Sequence, residues 1–330
     1  MHMKHIYKFA IVTAVYNTAE YLDEMIESVI NQDIDFEKNV QLILVDDGSK
    51  DNSVSICEKY KTIYPDNIEL ICLNHNGVSA TRNKGIELAK GEYVNFLDSD
   101  DKLESNALSE VWKFFKKHEN EIDLVAIPLY FFEAEQGNHI LNYKFSRNEL
   151  VNINERYNYI QLSASSTFIK RKYLNDYNIK FNKNLKYAED AEFISEIIIN
   201  KKYYGVLNKT KYLYRRRYNE TSTIQKGTQD IDWFLYYIKN YSIFMINKYK
   251  NEDAVVSKYI QYLIMYDLQW RINKITLLSK EQKRTFYILL KNVLINIDFK
   301  IIIEQKNLTI KSMVTCLIVK YFYREVNWRV

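Results

Sequence analysis

Gly91-Glu92-Tyr93-Val94-Asn95-Phe96-Leu97-Asp98-Ser99-Asp100-Asp101 is a turn glycine, a short apolar run and then three carboxylates within four residues. The run 93–97 has the length and the β-branched and aromatic content of a buried strand. A strand ending in Asp-x-Asp-Asp sets acidic oxygens at the carboxyl edge of a sheet, where open α/β sheets bind their ligands. Hard oxygens at this spacing suit Mg²⁺ or Mn²⁺, which bind through one or two carboxylates plus substrate phosphates. The competing reading is a helix start, with Asp100 or Ser105 capping a helix over 106–118.

On the N-terminal side, 9–15 is a continuous apolar strand, followed by Tyr16-Asn17 and a helix whose Leu22, Met25, Ile26, Val29 and Ile30 share one face. Residues 41–45 make the next strand, which ends in Asp46-Asp47-Gly48-Ser49. A helix over 51–64 and a strand over 69–73 follow. Asn76-Gly77-Val78-Ser79 leads into a helix carrying Arg82-Asn83, with Gly91 placed to cap its C-terminus. Beyond the acidic stretch come the helix 106–118 and a strand over 124–129. Strands alternating with helices predict a mostly parallel α/β sheet with right-handed crossovers and helices on both faces.

From 130 onward the pattern loosens. A hairpin of 130–133 with 139–143, turning at Gln136-Gly137-Asn138, is expected. So are a strand over 163–169, a helix opened by Ala188-Glu189-Asp190 and running through 199, and strands over 203–207 and 212–215. Residues 215–222 read as a loop. After Gly227 no glycine occurs and four helices are expected, over 230–249, 253–273, 280–296 and 309–325. The expected domains are 1–227 and an all-helical 228–330.

The chain has 330 residues, 47% hydrophobic and 27% charged, with ample material for a buried core. Its three cysteines, Cys57, Cys72 and Cys316, are widely spaced and form no metal-ligand pattern, which suits a reducing setting. No signal peptide opens the chain, and no apolar stretch reaches the roughly 18–20 residues that span a bilayer. The net charge of +4 hides an asymmetry: residues 228–330 hold 16 Lys+Arg against 9 Asp+Glu, a surplus of 7. That basic tail fits a polyanionic or phospholipid surface, or simply solvated helix faces.

Four groups sit at strand ends that converge on one crevice: Ala14-Val15-Tyr16-Asn17, Asp46-Asp47-Gly48-Ser49, Asn76-Gly77 with Arg82, and Asp98-Ser99-Asp100. Carboxylates there can accept from a base or ribose, an arginine can hold a diphosphate, and a metal can bridge phosphates. Neither Gly-x-x-x-x-Gly-Lys nor Gly-x-Gly-x-x-Gly is present, which excludes the P-loop route and counts against a dinucleotide cofactor. No feature points to nucleic acid.

With Glu189-Asp190 added, the order of these motifs over residues 8–225 resembles the family 2 glycosyltransferases of the GT-A fold. The resemblance implies base and ribose contacts from Ala14, Tyr16 and Asp47, and nucleotide contacts from Asn76, Arg82 and Ser99. It implies a divalent metal, Mn²⁺ or Mg²⁺, on Asp98 and Asp100. Asp190 would be the catalytic base, with Glu189 assisting at the acceptor; the bland reading of that pair is an acidic first helix turn favoured by the helix dipole. The implied reaction is inverting: a hydroxyl of a bacterial surface glycan or lipid-linked acceptor attacks a nucleotide-sugar, with UDP the expected nucleotide, while the base takes its proton. Arg216 and Arg217 can close over the diphosphate, or be a solvated charge cluster. The chain lacks the Gln/Arg-x-x-Arg-Trp motif and membrane spans of processive synthases, which favours transfer of one or a few sugars. A non-catalytic assembly subunit and a sugar nucleotidyltransferase are the alternatives.

In the tail, Met313, Val314, Leu317, Ile318, Tyr321 and Phe322 fall on one helical stripe, with Lys311, Lys320, Arg324 and Arg329 around it. Peripheral membrane contact, a homodimer seam and burial all explain that stripe. The expected location is the cytoplasm, at the inner face of the membrane if the stripe meets lipid.

Overall fold

The computed structural model describes residues 7–218 and 230–323. The chain divides into two compact units. One holds most of the residues before 219; the other takes Ile153–Ile160, Leu185–Ala188 and the helices that follow residue 230. The expected boundary at 227/228 lies outside the described residues.

The first unit is organised by an eight-stranded sheet. Its strands are β1 (Tyr7–Val15), β2 (Val40–Asp46), β3 (Ile68–Cys72), β4 (Gly91–Phe96), β6 (Leu124–Ala126), β9 (Glu149–Asn152), β10 (Thr167–Lys170) and β11 (Tyr203–Val206), in the order β3-β2-β1-β4-β10-β6-β11-β9. β3, β2, β1 and β4 are mutually parallel; the central β1 and β2 are buried almost throughout, as a strand covered on both faces requires, whereas β3 is a partly buried edge strand. On one face Phe9, Ile11, Leu42 and Leu44 meet Leu22, Met25, Ile26 and Val29 of α1 (Ala19–Ile30), together with Cys57 and Tyr60 of the helix Ser53–Ile63. On the other face Val12 packs so closely against Gly85 of the helix Val78–Leu88 that a Cβ there would come within 2.1 Å of Val12 Cγ1.

The sheet departs from the parallel expectation at β10, which runs antiparallel to both β4 and β6. β9 likewise pairs antiparallel with β11. A second, four-stranded sheet has the order β5 (Lys102–Leu103), β12 (Tyr212–Arg216), β7 (Leu129–Glu133), β8 (Gly137–Asn138). The expected strand 124–129 is therefore two strands in two sheets. The expected hairpin exists only as β7 with the two-residue β8, because Ile140–Phe145 turns into 3₁₀ helix. The expected strand 212–215 is present as β12 and runs one residue further, so Arg216, expected in a loop, pairs with Glu133 as Arg215 does with Phe132; residues 219–222 of that expected loop lie outside the described residues.

Gly91 does not cap the helix before it. The helix ends at Leu88 and Gly91 is the first residue of β4. A Cβ on it would meet the Ala10 amide nitrogen at 2.3 Å and the Phe9 carbonyl carbon at 2.4 Å, both rigid backbone. Gly91→Ala is accordingly expected to cost about 3 kcal/mol, the upper range for overpacking a core. Urea denaturation measures this; a midpoint equal to that of the wild type would show that the strands can move apart.

The helical unit is built around Lys258–Asn273, which is buried nearly all round through Tyr259, Ile260, Leu263, Ile264, Met265, Leu268 and Ile272. Ile231–Tyr237 and Ile243–Lys248 are joined by a π turn over Ile238–Ser242. Ser279 and Gln282 form a capping box that starts Lys280–Leu294. A short helix, Phe299–Ile303, is additional to the four expected. The last described helix, Ile310–Tyr321, buries Cys316 and Val319 and leaves Val314, Ile318 and Tyr321 exposed, so part of the expected stripe faces outward. Arg324 and Arg329 lie outside the described residues. Among the described residues no helix is long and apolar enough to cross a membrane.

Candidate active site

The loops after β1 and β2 are laced together. Asn17, at φ 51°, donates its amide to Ser49 Oγ at 3.0 Å and accepts from the Lys50 amide at 2.7 Å. Asp46 is consumed locally, accepting from the amides of Gly48 and Ser49. Asp47 is also buried, and its two oxygens accept from the amides of Asn76 (2.7 Å) and Gly77 (3.0 Å) at the start of the helix that carries Arg82. Asn76 is exposed, and Ala14 is half-buried on β1 beside Val45. Tyr16, 44% exposed, lies with its ring centroid 4.6 Å from that of His75. His75 Nδ1 is 3.2 Å from the Asp47 carbonyl oxygen, so Tyr16 and His75 form an open shelf above a fixed Asp47. Sequence reasoning missed His75, which carries no local signal beyond its place next to Asn76-Gly77.

Arg82 is the centre of the site. It is 5% exposed, and its guanidinium rests 5.3 Å from the ring centroid of Phe181. Nη2 donates to Asp98 Oδ1 at 2.8 Å, Nη1 donates to Asp190 Oδ1 at 2.5 Å, and Glu189 Oε1 lies 3.7 Å away. Phe181 stacks on Phe193 and packs edge-on against Phe96, which fixes the helix Glu189–Lys201 to the end of β4. Three carboxylates, the farthest 108 positions from Arg82 in the chain, thus meet on one buried cation. Asp190 Oδ2 accepts from the Ala164 amide at 3.0 Å, in the turn leading into β10. That turn is held in place by Asn95, whose Nδ2 donates to the carbonyls of Ser165 and Thr167.

The three carboxylates of the acidic stretch have different surroundings. Asp101 is 2% exposed; its oxygens accept from the Tyr212 hydroxyl (2.7 Å) and the Arg215 amide (2.7 Å). The Tyr212 oxygen in turn accepts from the Asp98 amide, and Arg215 Nε donates to the Asp100 carbonyl. Asp101 therefore pegs the acidic loop to β12 and points away from any ligand. Ser99 is buried. Asp100 Oδ2 accepts from Nε and Nη2 of Arg217, which lies over the Tyr21 ring. Arg216 is not with it: its Nε is 3.3 Å from Glu135 Oε2.

Among the described residues Asp98 Oδ2 and Asp100 Oδ1 are left without a protein hydrogen bond, on side chains 34% and 26% exposed. No group of three or more His, Cys, Asp or Glu able to hold a metal occurs among them. Two free carboxylate oxygens fit a divalent ion that draws its remaining ligands from phosphates and water. Burial raises the Asp98 carboxyl, as do Asp190 and Asp100, against the pull of Arg82. Burial, then Asp100 and Asp98, push Asp101 well up. Burial alone would lower Arg82, but Asp190, Asp98 and Glu189 hold it above its ordinary value, so it stays charged.

Burial and the neighbouring Asp190 push Glu189 up to about 7 from an ordinary 4.5, with Arg82 opposing them. The unfolded chain ionises Glu189 near 4.5 while the folded chain holds its proton to about 7. The stability this group lends is therefore whole below the first value and is lost as the pH rises through the second. Glu189→Gln cannot ionise, so its melting temperature should gain on that of the wild type from pH 4.5 to above 7. A gap that stays constant over that range would contradict the assignment.

A mostly parallel sheet with acidic strand ends, followed by a helical region, is the GT-A architecture of glycosyltransferases. The chain belongs to glycosyltransferase family 2: the family model described as Glycosyl transferase family 2 matches residues 10–177, half of the chain. It is 40% identical over 307 residues to Minor teichoic acid biosynthesis protein GgaB of Bacillus subtilis (strain 168), covering 92% of this chain and 34% of that protein. The chain thus spans about a third of GgaB. It is 33% identical over 210 residues to Poly(ribitol-phosphate) beta-N-acetylglucosaminyltransferase TarP of Staphylococcus aureus (strain N315), covering 63% of this chain and 62% of TarP. The fold is that of S. aureus TarS 1-349, solved in complex with UDP-GlcNAc (TM-score 0.73, 21% identity, 94% of this chain and 87% of that one).

Proposed function

We propose that this chain moves a sugar from a UDP-sugar to a hydroxyl of a teichoic-acid-type polyol phosphate, with inversion at the anomeric carbon. The observation that carries the reading is Arg82 joining Asp98, at the end of β4, to Asp190, on a separate helix: it brings the metal candidate and the base candidate into one site. The names of GgaB and TarP support the acceptor class, and the UDP-GlcNAc complex of TarS supports the nucleotide.

In the proposed mechanism the nucleobase lies on the Tyr16–His75 shelf. Asp98 and Asp100 would hold the divalent ion, which when bound offsets charge on the departing diphosphate. Arg217, next to Asp100, adds a second cation on that side. The acceptor O–H loses its proton to Asp190 as its oxygen bonds to the anomeric carbon and the carbon–oxygen bond to the nucleotide breaks. The Ala164 amide and Arg82 keep Asp190 oriented. In this reading residues 1–227 carry donor binding and chemistry, and 228–330 carry contacts to acceptor, membrane or a second copy.

Calorimetric titration with UDP, GDP and CDP, with and without Mn²⁺, tests the donor reading. The expected result is Mn²⁺-dependent binding of UDP that Asp100→Ala reduces at least about tenfold, the scale of one lost charged contact. Equal binding of all three nucleotides, or none, would sink the choice of UDP.

A further inference from the structure

Arg216 is paired with Glu135 and not with Asp100. It and Arg217 are adjacent residues and project to opposite faces. Arg217 turns to Asp100, whereas the Arg216 guanidinium lies 4.3 Å from the Phe131 ring centroid and 5.5 Å from that of Tyr214. Its backbone is fixed in β12, with the carbonyl accepting from the Ala134 amide. Among the described residues its one ionic neighbour is Glu135, a side chain 61% exposed. Among the same residues neither its buried Nε nor its two Nη groups makes a hydrogen bond, and the side chain is 36% exposed.

This bracketed cation borders the catalytic carboxylates. Tyr214, which forms one side of the bracket, is raised to about 12 by burial and then by Asp101, Asp98 and Asp100, which places its hydroxyl in their field. Tyr212, two residues earlier on the same face, touches Asp98 and Asp101 directly. His139 packs edge-on against Phe131, and burial, Lys144 and Arg216 press it down to about 4. The imidazole beside the bracket therefore stays neutral at pH 7. A planar guanidinium held against the Phe131 ring and close to Tyr214, with both Nη groups free of hydrogen bonds among the described residues, suits bidentate contact with a phosphate.

We infer that Arg216, stacked on Phe131 and Tyr214, is the subsite for a phosphodiester of the acceptor chain next to the hydroxyl that receives the sugar. The inference rests on the acceptor class proposed above and separates Arg216 from the donor diphosphate.

The test titrates wild type, Arg216→Gln and Arg216→Lys with a ribitol phosphate oligomer and with UDP, and compares transfer kinetics to the oligomer and to free ribitol. Arg216→Gln is expected to weaken oligomer binding and raise its KM at least about tenfold. UDP affinity and transfer to free ribitol should stay unchanged. Arg216→Lys keeps the charge without the fork and should fall between the two. Glu135→Gln, an exposed change that removes the competing carboxylate, should lower the oligomer KM; a rise would count against the site. An unchanged oligomer KM in Arg216→Gln overturns the inference. So does a matching loss of UDP affinity, which would put Arg216 on the donor. A wild type that transfers sugar elsewhere but neither binds nor glycosylates the oligomer removes the proposed acceptor class, and this subsite with it.

Discussion

Asp190→Asn is expected to lower kcat by about 10²- to 10⁴-fold, the usual contribution of a positioned general base. The substitution keeps the shape and removes the proton acceptor. It also disturbs the local pairing, because Asp190 meets a donor on each oxygen, Arg82 on Oδ1 and the Ala164 amide on Oδ2. An amide group can accept on one side only, so one of these donors will face an NH₂. The affinity for UDP should stay within a factor of about two, because, among the described residues assigned to the nucleotide, Asp190 touches only Arg82, and the asparagine oxygen can still accept from it. Steady-state kinetics with saturating donor, alongside calorimetry with UDP, separates the two effects. A kcat within threefold of wild type would transfer the role to Glu189, whose proton leaves near pH 7; Glu189→Gln would then show the loss.

Arg82→Met should have the largest effect on stability, about 3–5 kcal/mol, the range for removing one partner of a buried ion pair. The side chain is buried, and it balances Asp98, Asp190 and Glu189 together. Methionine fills much of the volume against Phe181 but leaves three carboxylates facing one another. They relieve the repulsion by taking up protons, so the deficit should shrink as the pH falls from 7.5 to 5. Denaturant midpoints at the two pH values give the answer. A deficit below about 1 kcal/mol at pH 7.5 would mean that water or a bound cation already balances the cluster. Arginine at this position is a structural counter-ion to three carboxylates, and its identity alone could not reveal that.

Local patterns carried much of the fold. β1, β2 and β4 were legible because a strand covered on both faces must be apolar throughout, and their ends were legible because turn residues and carboxylates follow abruptly. The same locality explains the failures. Arg215-Arg216-Arg217 looks like a solvated loop until Glu24, Glu133, Glu135 and Asp100 arrive from three other places to neutralise it. Gly91 looks like a helix cap until β1 lies against it. Asp101 looks like a third ligand until Tyr212 and Arg215 claim both of its oxygens. No spacing rule encodes such partners, because each is supplied by a strand or helix distant in sequence.

The reversed strand β10 has a consequence for how the site can change. Loops that leave β1, β2 and β4 start at the cleft, and insertions can extend them outward beyond the hydrogen bonds that hold their bases. The turn before β10 arrives there instead, and it is tied down by Asn95 on one side and Asp190 on the other. Adding or removing one residue in that turn would exchange the two faces of β10 and draw the Ala164 amide away from the base. Relatives with new sugar or acceptor preferences should therefore differ in the length of their outgoing loops, while the incoming turn keeps one length: a fixed hinge-pin around which specificity is free to vary.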